Sequence, residues 1–162
     1  MSENIRLLIV DDEVRFLKTL KERLVLRGFD VTAVTSGERA IETAREAVFD
    51  VALLDLKMPG MDGDEVLKVL KSEHPLIEVV ILTGHGSVES AVDCTRAGSH
   101  SYLQKPCETN KLMEVLKDAY HKRIQRKLDV DKEKVDDLLQ IAAGESPLGI
   151  IRRLKEIERQ HS

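Results

Sequence analysis

Long apolar runs and a basic net charge are absent from this sequence of 162 residues, and cysteine is scarce. No apolar stretch approaches the roughly 20 residues needed to cross a bilayer. The N-terminal segment MSENIRLLIV has no basic region and an apolar run of only four residues, which excludes a signal peptide. The two cysteines, Cys94 and Cys107, have no metal-ligand spacing and are typical of reduced thiols. We therefore expect a cytoplasmic protein that contacts no membrane.

The sequence also lacks the charge pattern of a nucleic-acid-binding protein. The net charge is −4; residues 1–121 carry 15 Lys and Arg against 21 Asp and Glu, and residues 122–162 carry 10 against 8. The acidic first part disfavours non-specific binding to nucleic acid, and the weak positive balance of the tail does not support it. The tail is also too short for a helix-turn-helix reader of three helices. We expect no direct contact with nucleic acid.

Five short apolar runs alternate with amphipathic segments. The runs are IRLLIV (5–10), DVTAV (30–34), VALLD (51–55), IEVVIL (77–82) and SYLQ (101–104). In the segments between them, apolar residues recur every three or four positions, which is typical of helices. Continuous apolar strands that alternate with amphipathic helices predict a parallel sheet with helices on both faces. The pattern therefore indicates an α/β fold of five strands and five helices.

Polar residues follow the predicted strands where each one ends. They are Asp11 and Asp12 after the first strand, Asp55 at the end of the third, Thr83 after the fourth and Lys105 after the fifth. In a parallel sheet the ligand site lies at this carboxyl edge. Converging carboxylates repel one another unless a cation joins them, and an all-oxygen set suits Mg²⁺ that also binds a phosphate. A carboxylate beside Mg²⁺ and a lysine could attack phosphorus and form an aspartyl phosphate.

A wider set of residues carries a resemblance to a known family. The set comprises Asp11, Asp12, Thr83, Tyr102, the Lys105–Pro106 dipeptide and the segment DLKMPGMDG (55–63). Together they resemble the receiver domain of two-component response regulators over about residues 4–122. The resemblance implies a flavodoxin-like, doubly wound sheet of five parallel strands in the order 2-1-3-4-5. We accordingly assign residues 1–122 to a receiver domain and residues 123–162 to a helical extension.

The resemblance also implies a role for each residue of the acidic site. Asp55 is expected to be the phosphoacceptor. Asp12 and Asp55 are expected to bind Mg²⁺ directly, and Asp11 through water. The main-chain carbonyl of Lys57 is expected to be the third protein ligand. Lys57 and His85 flank the expected phosphate at places that, in the family, influence how long it lasts.

The same resemblance implies a phosphoryl-binding pair and a switch. Thr83 and Lys105 are expected to hold the phosphoryl group, and Tyr102 to move inward when Thr83 turns toward it. The Lys105–Pro106 peptide bond is expected to be cis. The segment GSHSY (98–102) departs from the small, aromatic and acidic residues that precede the tyrosine in many relatives. The alternative that Tyr102 is only a half-buried strand aromatic therefore stays open.

The function that the resemblance implies is a phosphorylation-activated response regulator. Its partner would be a sensor histidine kinase or a phosphotransfer protein, and its output a protein–protein contact. Such a protein is no enzyme beyond its own phosphorylation and dephosphorylation. A pseudo-receiver that takes no phosphate remains an alternative. An aspartyl-nucleophile phosphatase is disfavoured because Lys57 stands where it needs a second Asp, and a flavodoxin because Asp11-Asp12-Glu13 would repel the FMN phosphate.

The last 40 residues continue the helical pattern. Apolar residues recur from Leu112 to Ala142, which predicts that the fifth helix runs to about residue 143, before a short helix at about 147–159. An exposed apolar stripe needs a partner, so we expect a homodimer; the alternative is a break near Asp129 and a chain that folds back. The segment GESP (144–147) is faintly similar to the start of the ATPase module of sigma-54-type activators. A truncated relative is thus a further alternative, although no G-x-x-x-x-G-K-[ST] loop occurs in the sequence.

Overall fold

The computed structural model describes residues 4–144 and 147–161; residues 1–3, 145–146 and 162, which include the middle of the GESP segment, lie outside the described residues. Five strands form one sheet: β1 (Arg6–Val10), β2 (Asp30–Val34), β3 (Val51–Leu54), β4 (Glu78–Thr83) and β5 (Ser101–Gln104). The described residues also form six helices: α1 (Val14–Leu26), α2 (Gly37–Glu46), α3 (Gly63–Glu73), α4 (Val88–Arg96), α5 (Thr109–Gly144) and α6 (Pro147–Gln160).

All neighbouring strands of the sheet are parallel, and their order is β2-β1-β3-β4-β5. This confirms the predicted flavodoxin-like, doubly wound sheet, together with a C-terminal helical extension. The register pairs Val10 with Leu54 and Thr83 with Gln104, so that these strands end side by side. The carboxyl edge that the sequence analysis singled out is thus one continuous edge of the sheet.

Apolar side chains fill both faces of the sheet. Successive residues of a strand point to opposite faces, so Leu8 and Val10 join one buried cluster and Leu7 and Ile9 the other. Residues of α2, α3 and α4 pack in the first cluster, and residues of α1 and α5 pack in the second. Every residue of β3 and β4 is buried. The predicted burial of continuous apolar strands is therefore confirmed for β1, β3 and β4, whereas β2 and β5 at the two sides of the sheet are only partly buried.

Helix ends are set by local chemistry that positions the loops around the sheet. The Ser36 hydroxyl accepts a hydrogen bond from the amide of Arg39 and caps α2. Ser87 and Ser90 exchange hydrogen bonds in a capping box at the start of α4. The Lys105–Pro106 bond after β5 is cis, as expected. These features define the loops that follow β2, β4 and β5.

The chain divides into two compact units, Met1–Arg123 and Ile124–Ser162. Helix α5 is continuous to Gly144, so the alternative of a break near Asp129 is wrong. In the second unit, Nε2 of His161 lies 3.6 Å from Oε2 of Glu133, which places the end of α6 beside α5. Within the described residues, no helix is long and apolar enough to cross a membrane.

Candidate functional site

Three carboxylates converge at the carboxyl ends of β1 and β3. Asp11, Asp12 and Asp55 each contribute one carboxylate oxygen, and these oxygens all lie within 4.8 Å of one another. The backbone holds two of them in place, because the amide of Asp55 donates to the carbonyl of Val10 at 3.0 Å and that of Asp11 to the carbonyl of Val34 at 3.2 Å. The sheet itself therefore sets the spacing of the acidic group.

Two of these carboxylates are almost completely shielded from solvent. Asp11 is 2% exposed and Asp55 is 3% exposed, whereas Asp12 is half-buried. Oδ1 of Asp55 is buried and has no hydrogen-bond partner among the described residues. A buried polar atom without a partner is costly, and its presence indicates a ligand that completes the site. Three carboxylates of this kind suit a hard divalent cation.

Lys105 supplies the positive charge of the site. Its Nζ lies 2.6 Å from Oδ2 of Asp11, 3.6 Å from Oδ2 of Asp55 and 3.7 Å from Oε1 of Glu13. The Asp11 contact is a hydrogen bond, and the other two are ion pairs at longer range. The ammonium also lies over the ring of Phe16, 4.1 Å from its centroid. Lys105 is thus directed into the site and is not a solvated surface lysine.

The pKa values of both partners in this ion pair are raised. A higher pKa disfavours the charged form of Asp11 but favours the charged form of Lys105. Burial raises the pKa of Asp11 and outweighs the hydrogen bonds from Lys105 and the Glu13 amide, which lower it. Burial by itself lowers the pKa of Lys105. The hydrogen bond to Asp11 and the neighbouring negative charges together raise this pKa by more than burial lowers it, so the net shift is upward. The short contact supports a charged pair, and the shift of Asp11 reflects the cost of burying it.

Thr83 is fully buried at the end of β4. Its hydroxyl oxygen accepts a hydrogen bond from the amide of His85 at 3.2 Å, and its carbonyl accepts one from the amide of Lys105 at 2.9 Å. The second bond ties the loop that carries Lys105 to the end of β4. Lys57 and His85 are both exposed, and they lie two residues beyond Asp55 and Thr83. The carbonyl of Lys57 stays a predicted metal ligand.

Tyr102 is half-buried on β5, and its hydroxyl is hydrogen-bonded to the hydroxyl of Ser90 at 2.6 Å. Ser90 belongs to the capping box of α4, so this contact joins β5 to the first turn of that helix. A Cβ placed on Gly86 would lie 3.0 Å from the Tyr102 hydroxyl. The loop after β4 therefore packs closely on Tyr102. Its role as a switch residue stays a prediction.

Sequence reasoning missed two residues that shape the site. Phe16 has no role in the sequence analysis, yet its ring contacts Lys105. Gly63 appears in the sequence only as the last residue of the segment 55–63, yet a Cβ on it would lie 2.2 Å from the carbonyl oxygen of Asp55. For Gly63, the available signal was a glycine at the end of the short segment that begins with Asp55. No signal in the sequence points to Phe16, because its contact with Lys105 depends on where α1 packs.

Comparison with known proteins identifies the family. The profile of the response regulator receiver domain matches residues 7–117. The chain belongs to this family. The matched range of the receiver domain includes Asp11, Asp12, Asp55, Thr83 and Lys105.

Individual relatives agree with this assignment. The chain is 39% identical over 117 residues to the transcriptional regulatory protein ZraR of Escherichia coli (strain K12), covering 72% of this chain and 26% of the relative. The chain thus spans about a quarter of the length of the curated relatives it matches. A CheY-like receiver domain from Methanospirillum hungatei has a TM-score of 0.74 at 28% identity, covering 76% of this chain and 99% of that one.

A second similar structure was solved with ligands. It is the CheX-CheY-BeF3-Mg+2 complex from Borrelia burgdorferi, with a TM-score of 0.68 and 25% identity. The similarity covers 72% of this chain and 89% of that one. Receiver domains interact with histidine kinases and phosphotransfer proteins, and this chain has the receiver fold with the acidic cluster at the expected edge.

Proposed function

We propose that this receiver domain is a phosphorylation-activated switch that accepts a phosphoryl group on Asp55. The donor would be the phosphohistidine of a sensor histidine kinase or of a phosphotransfer protein. The observation that carries the proposal is the buried Asp55 carboxylate, which has one oxygen without a hydrogen-bond partner among the described residues and a lysine 3.6 Å from the other. A purely structural aspartate at this position would be expected to have both oxygens paired.

The acidic cluster supports Mg²⁺ as the cofactor. Asp11, Asp12, Asp55 and the main-chain carbonyl of Lys57 would hold the ion, directly or through water. All the donor atoms are oxygens, and Oδ1 of Asp55, which has no hydrogen-bond partner among the described residues, is available to bind the ion. The similar CheX-CheY-BeF3-Mg+2 complex from Borrelia burgdorferi contains Mg²⁺, which agrees with this proposal. When bound, Mg²⁺ supplies charge neutralisation at the phosphoryl oxygens.

The residues of the chain divide the remaining chemistry among them. An oxygen of Asp55 attacks phosphorus; the new O–P bond forms as the P–N bond to the donor imidazole breaks, and the imidazole leaves. Lys105 is held as a cation near Asp55 and would bind a phosphoryl oxygen. The hydroxyl of Thr83 would donate to another. Lys57 and His85, both exposed beside the site, would influence hydrolysis of the acyl phosphate.

The output of the switch would be a protein–protein contact. Phosphorylation would shift a pre-existing equilibrium as Thr83 turns toward the phosphate and Tyr102 moves inward. The Tyr102–Ser90 hydrogen bond supports this route, because any movement of Tyr102 must change its contact with α4. We propose no catalysis beyond the protein's own phosphorylation and dephosphorylation.

Homodimer formation through the extension is part of the same proposal. The α5 segment in the second unit carries exposed apolar side chains at Leu128, Val135 and Leu139. Their spacing of seven and four residues places them along one side of the helix. A second copy of the chain could cover this stripe, which we call the α5 stripe.

Binding of beryllofluoride, a phosphoryl analogue, tests the acceptor site. In fluorine NMR, we expect bound resonances when beryllofluoride and Mg²⁺ are both added. They should disappear in Asp55→Asn and on chelation of the metal. A matched control is Asp30→Asn, an exposed aspartate at the start of β2, whereas the acidic cluster lies where the strands end. If the wild type shows no bound resonance with Mg²⁺, the pseudo-receiver alternative replaces the switch.

A further inference from the structure

The ammonium of Lys105 lies close to three carboxylates and to an aromatic ring. Its Nζ contacts Asp11 at 2.6 Å and lies 4.1 Å from the centroid of the Phe16 ring. Asp55 and Glu13 lie farther away, at 3.6 Å and 3.7 Å. The lysine side chain is only 13% exposed, so the ring replaces water that an ammonium would otherwise bind.

An aromatic ring attracts a cation without fixing the direction of its N–H groups. The attraction comes from the ring quadrupole, acts within about 6 Å of the centroid and requires no particular N–H direction. A hydrogen bond, in contrast, constrains both distance and angle. The ring of Phe16 can therefore keep the ammonium in place while its N–H groups turn from Asp11 toward a phosphoryl oxygen on Asp55.

Glu13 gives the lysine a competing position. Its side chain is 59% exposed, so an ammonium drawn toward it would move away from Asp55 and toward solvent. Phe16 follows Glu13 by three residues; Glu13 is the N-cap of α1, and Phe16 lies in its first turn. An ammonium held at the Phe16 ring, as it is in this structure, stays within reach of both Asp11 and Asp55.

We propose that Phe16 is a positioning residue that holds the ammonium of Lys105 for phosphoryl transfer to Asp55. This rests on the phosphoacceptor function proposed above. Phe16 touches neither Mg²⁺ nor phosphate in this scheme and acts only through Lys105. An aliphatic side chain of similar size would fill the same space but would lack the attraction for the cation.

Three single variants separate this role from simple packing. The measurement is the initial rate of Asp55 phosphorylation by acetyl phosphate at saturating Mg²⁺, followed by intact mass. Phe16→Leu should lower the rate about threefold to tenfold, the size of a partly desolvated cation–π contact. Phe16→Tyr, which keeps the ring, should restore at least half of the wild-type rate. Phe29→Leu is the matched control: Phe29 packs in the same apolar cluster, and the rate should stay within twofold.

A double-mutant cycle tests whether Phe16 acts through Lys105. In a Lys105→Gln background, Phe16→Leu should change the rate by less than twofold. The Mg²⁺ dissociation constant measured by calorimetry should also stay within twofold in Phe16→Leu. An undiminished effect of Phe16→Leu in the Lys105→Gln background, or a parallel loss of Mg²⁺ affinity, would show a packing role and overturn the proposal.

The two proposals fail in different ways. If the wild type is phosphorylated and Phe16→Leu matches its rate, the positioning role is wrong and the acceptor function stands. If the wild type takes no phosphoryl group and binds no beryllofluoride, both proposals are wrong.

Discussion

At the scale of single residues, another buried carboxylate, that of Asp50, lies at the amino end of β3. The carboxylate of Asp50 accepts hydrogen bonds from the amide and guanidinium of Arg6 and, at 2.9 Å, from Nε of Arg123. Burial by itself raises the pKa of Asp50. The hydrogen bonds from Arg6 and Arg123 and the charge of Arg6 together lower this pKa by more than burial raises it, so the net shift is downward. One carboxylate thus joins β1, α5 and the residue that precedes β3.

Replacing Asp50 should therefore destabilise the domain in a pH-dependent way. We expect Asp50→Asn to lower the free energy of unfolding at pH 7 by about 2–4 kcal/mol, because two arginines lose their buried partner. Since the pKa is lower in the folded protein, this stabilisation is present above about pH 4 and is lost as the pH falls. Urea titrations at pH 7 and pH 3 measure both effects.

The exposed residue Asp30 provides the control for Asp50. Asp30→Asn should change the free energy of unfolding by less than about 0.5 kcal/mol. If Asp50→Asn is as stable as wild type at pH 7, or if the difference between them grows toward pH 3, the ion pairs do not stabilise the fold as described.

Gly63 is the residue whose size matters most for the acceptor. Its Cβ would lie 2.2 Å from the carbonyl oxygen of Asp55 and 2.8 Å from Cα of Leu56, so Gly63→Ala must displace the backbone of the acceptor loop. We expect a loss of about 1–3 kcal/mol in the free energy of unfolding and a phosphorylation rate at least tenfold lower. Gly84→Ala is the control, since an added Cβ there meets nothing within 4 Å.

The measurements for Gly63 are chemical denaturation and the rate of mass gain with acetyl phosphate. Equal rates for Gly63→Ala and Gly84→Ala would mean that the close approach of Gly63 does not position Asp55.

At the scale of elements, strand ends follow hydrogen bonding more closely than hydropathy. The apolar run 77–82 predicts a strand that stops before Thr83, yet β4 spans Glu78–Thr83. The amide of Ile77 instead donates to the carbonyl of His74 in a turn, and the carbonyl of Thr83 accepts from Lys105. Apolar periodicity therefore locates the element, whereas its last residue depends on partners that the sequence does not show.

The α5 stripe belongs to this scale as well. We expect the double variant Leu128→Lys, Leu139→Lys to weaken a homodimer at least tenfold, because it places charges in an apolar contact. Sedimentation velocity of the full chain over a range of concentrations measures this. Leu148→Lys is the matched control, since Leu148 is an exposed leucine on α6 outside the stripe. A double variant that dimerises like the wild type would contradict a dimer through α5.

At the scale of the whole molecule, topology assembles the site from distant parts of the chain. Asp11, Asp55 and Lys105 meet because parallel strands in the order 2-1-3-4-5 end at one edge. This much could be predicted, since apolar runs that end in polar residues are visible in the sequence. The Lys105–Phe16 contact, the Asp50 ion pairs and the packing of Gly63 on Asp55 could not be, because each depends on how one element lies against another.

The central claim is that Asp55 accepts a phosphoryl group with Mg²⁺. The most direct test is the intact mass of the full chain after incubation with acetyl phosphate and Mg²⁺, beside Asp55→Asn and a chelated sample. The account predicts a gain of one phosphoryl group in the wild type with Mg²⁺ and no gain in the other two samples. A wild type that gains no mass and also binds no beryllofluoride would contradict it, and so would an equal gain in Asp55→Asn.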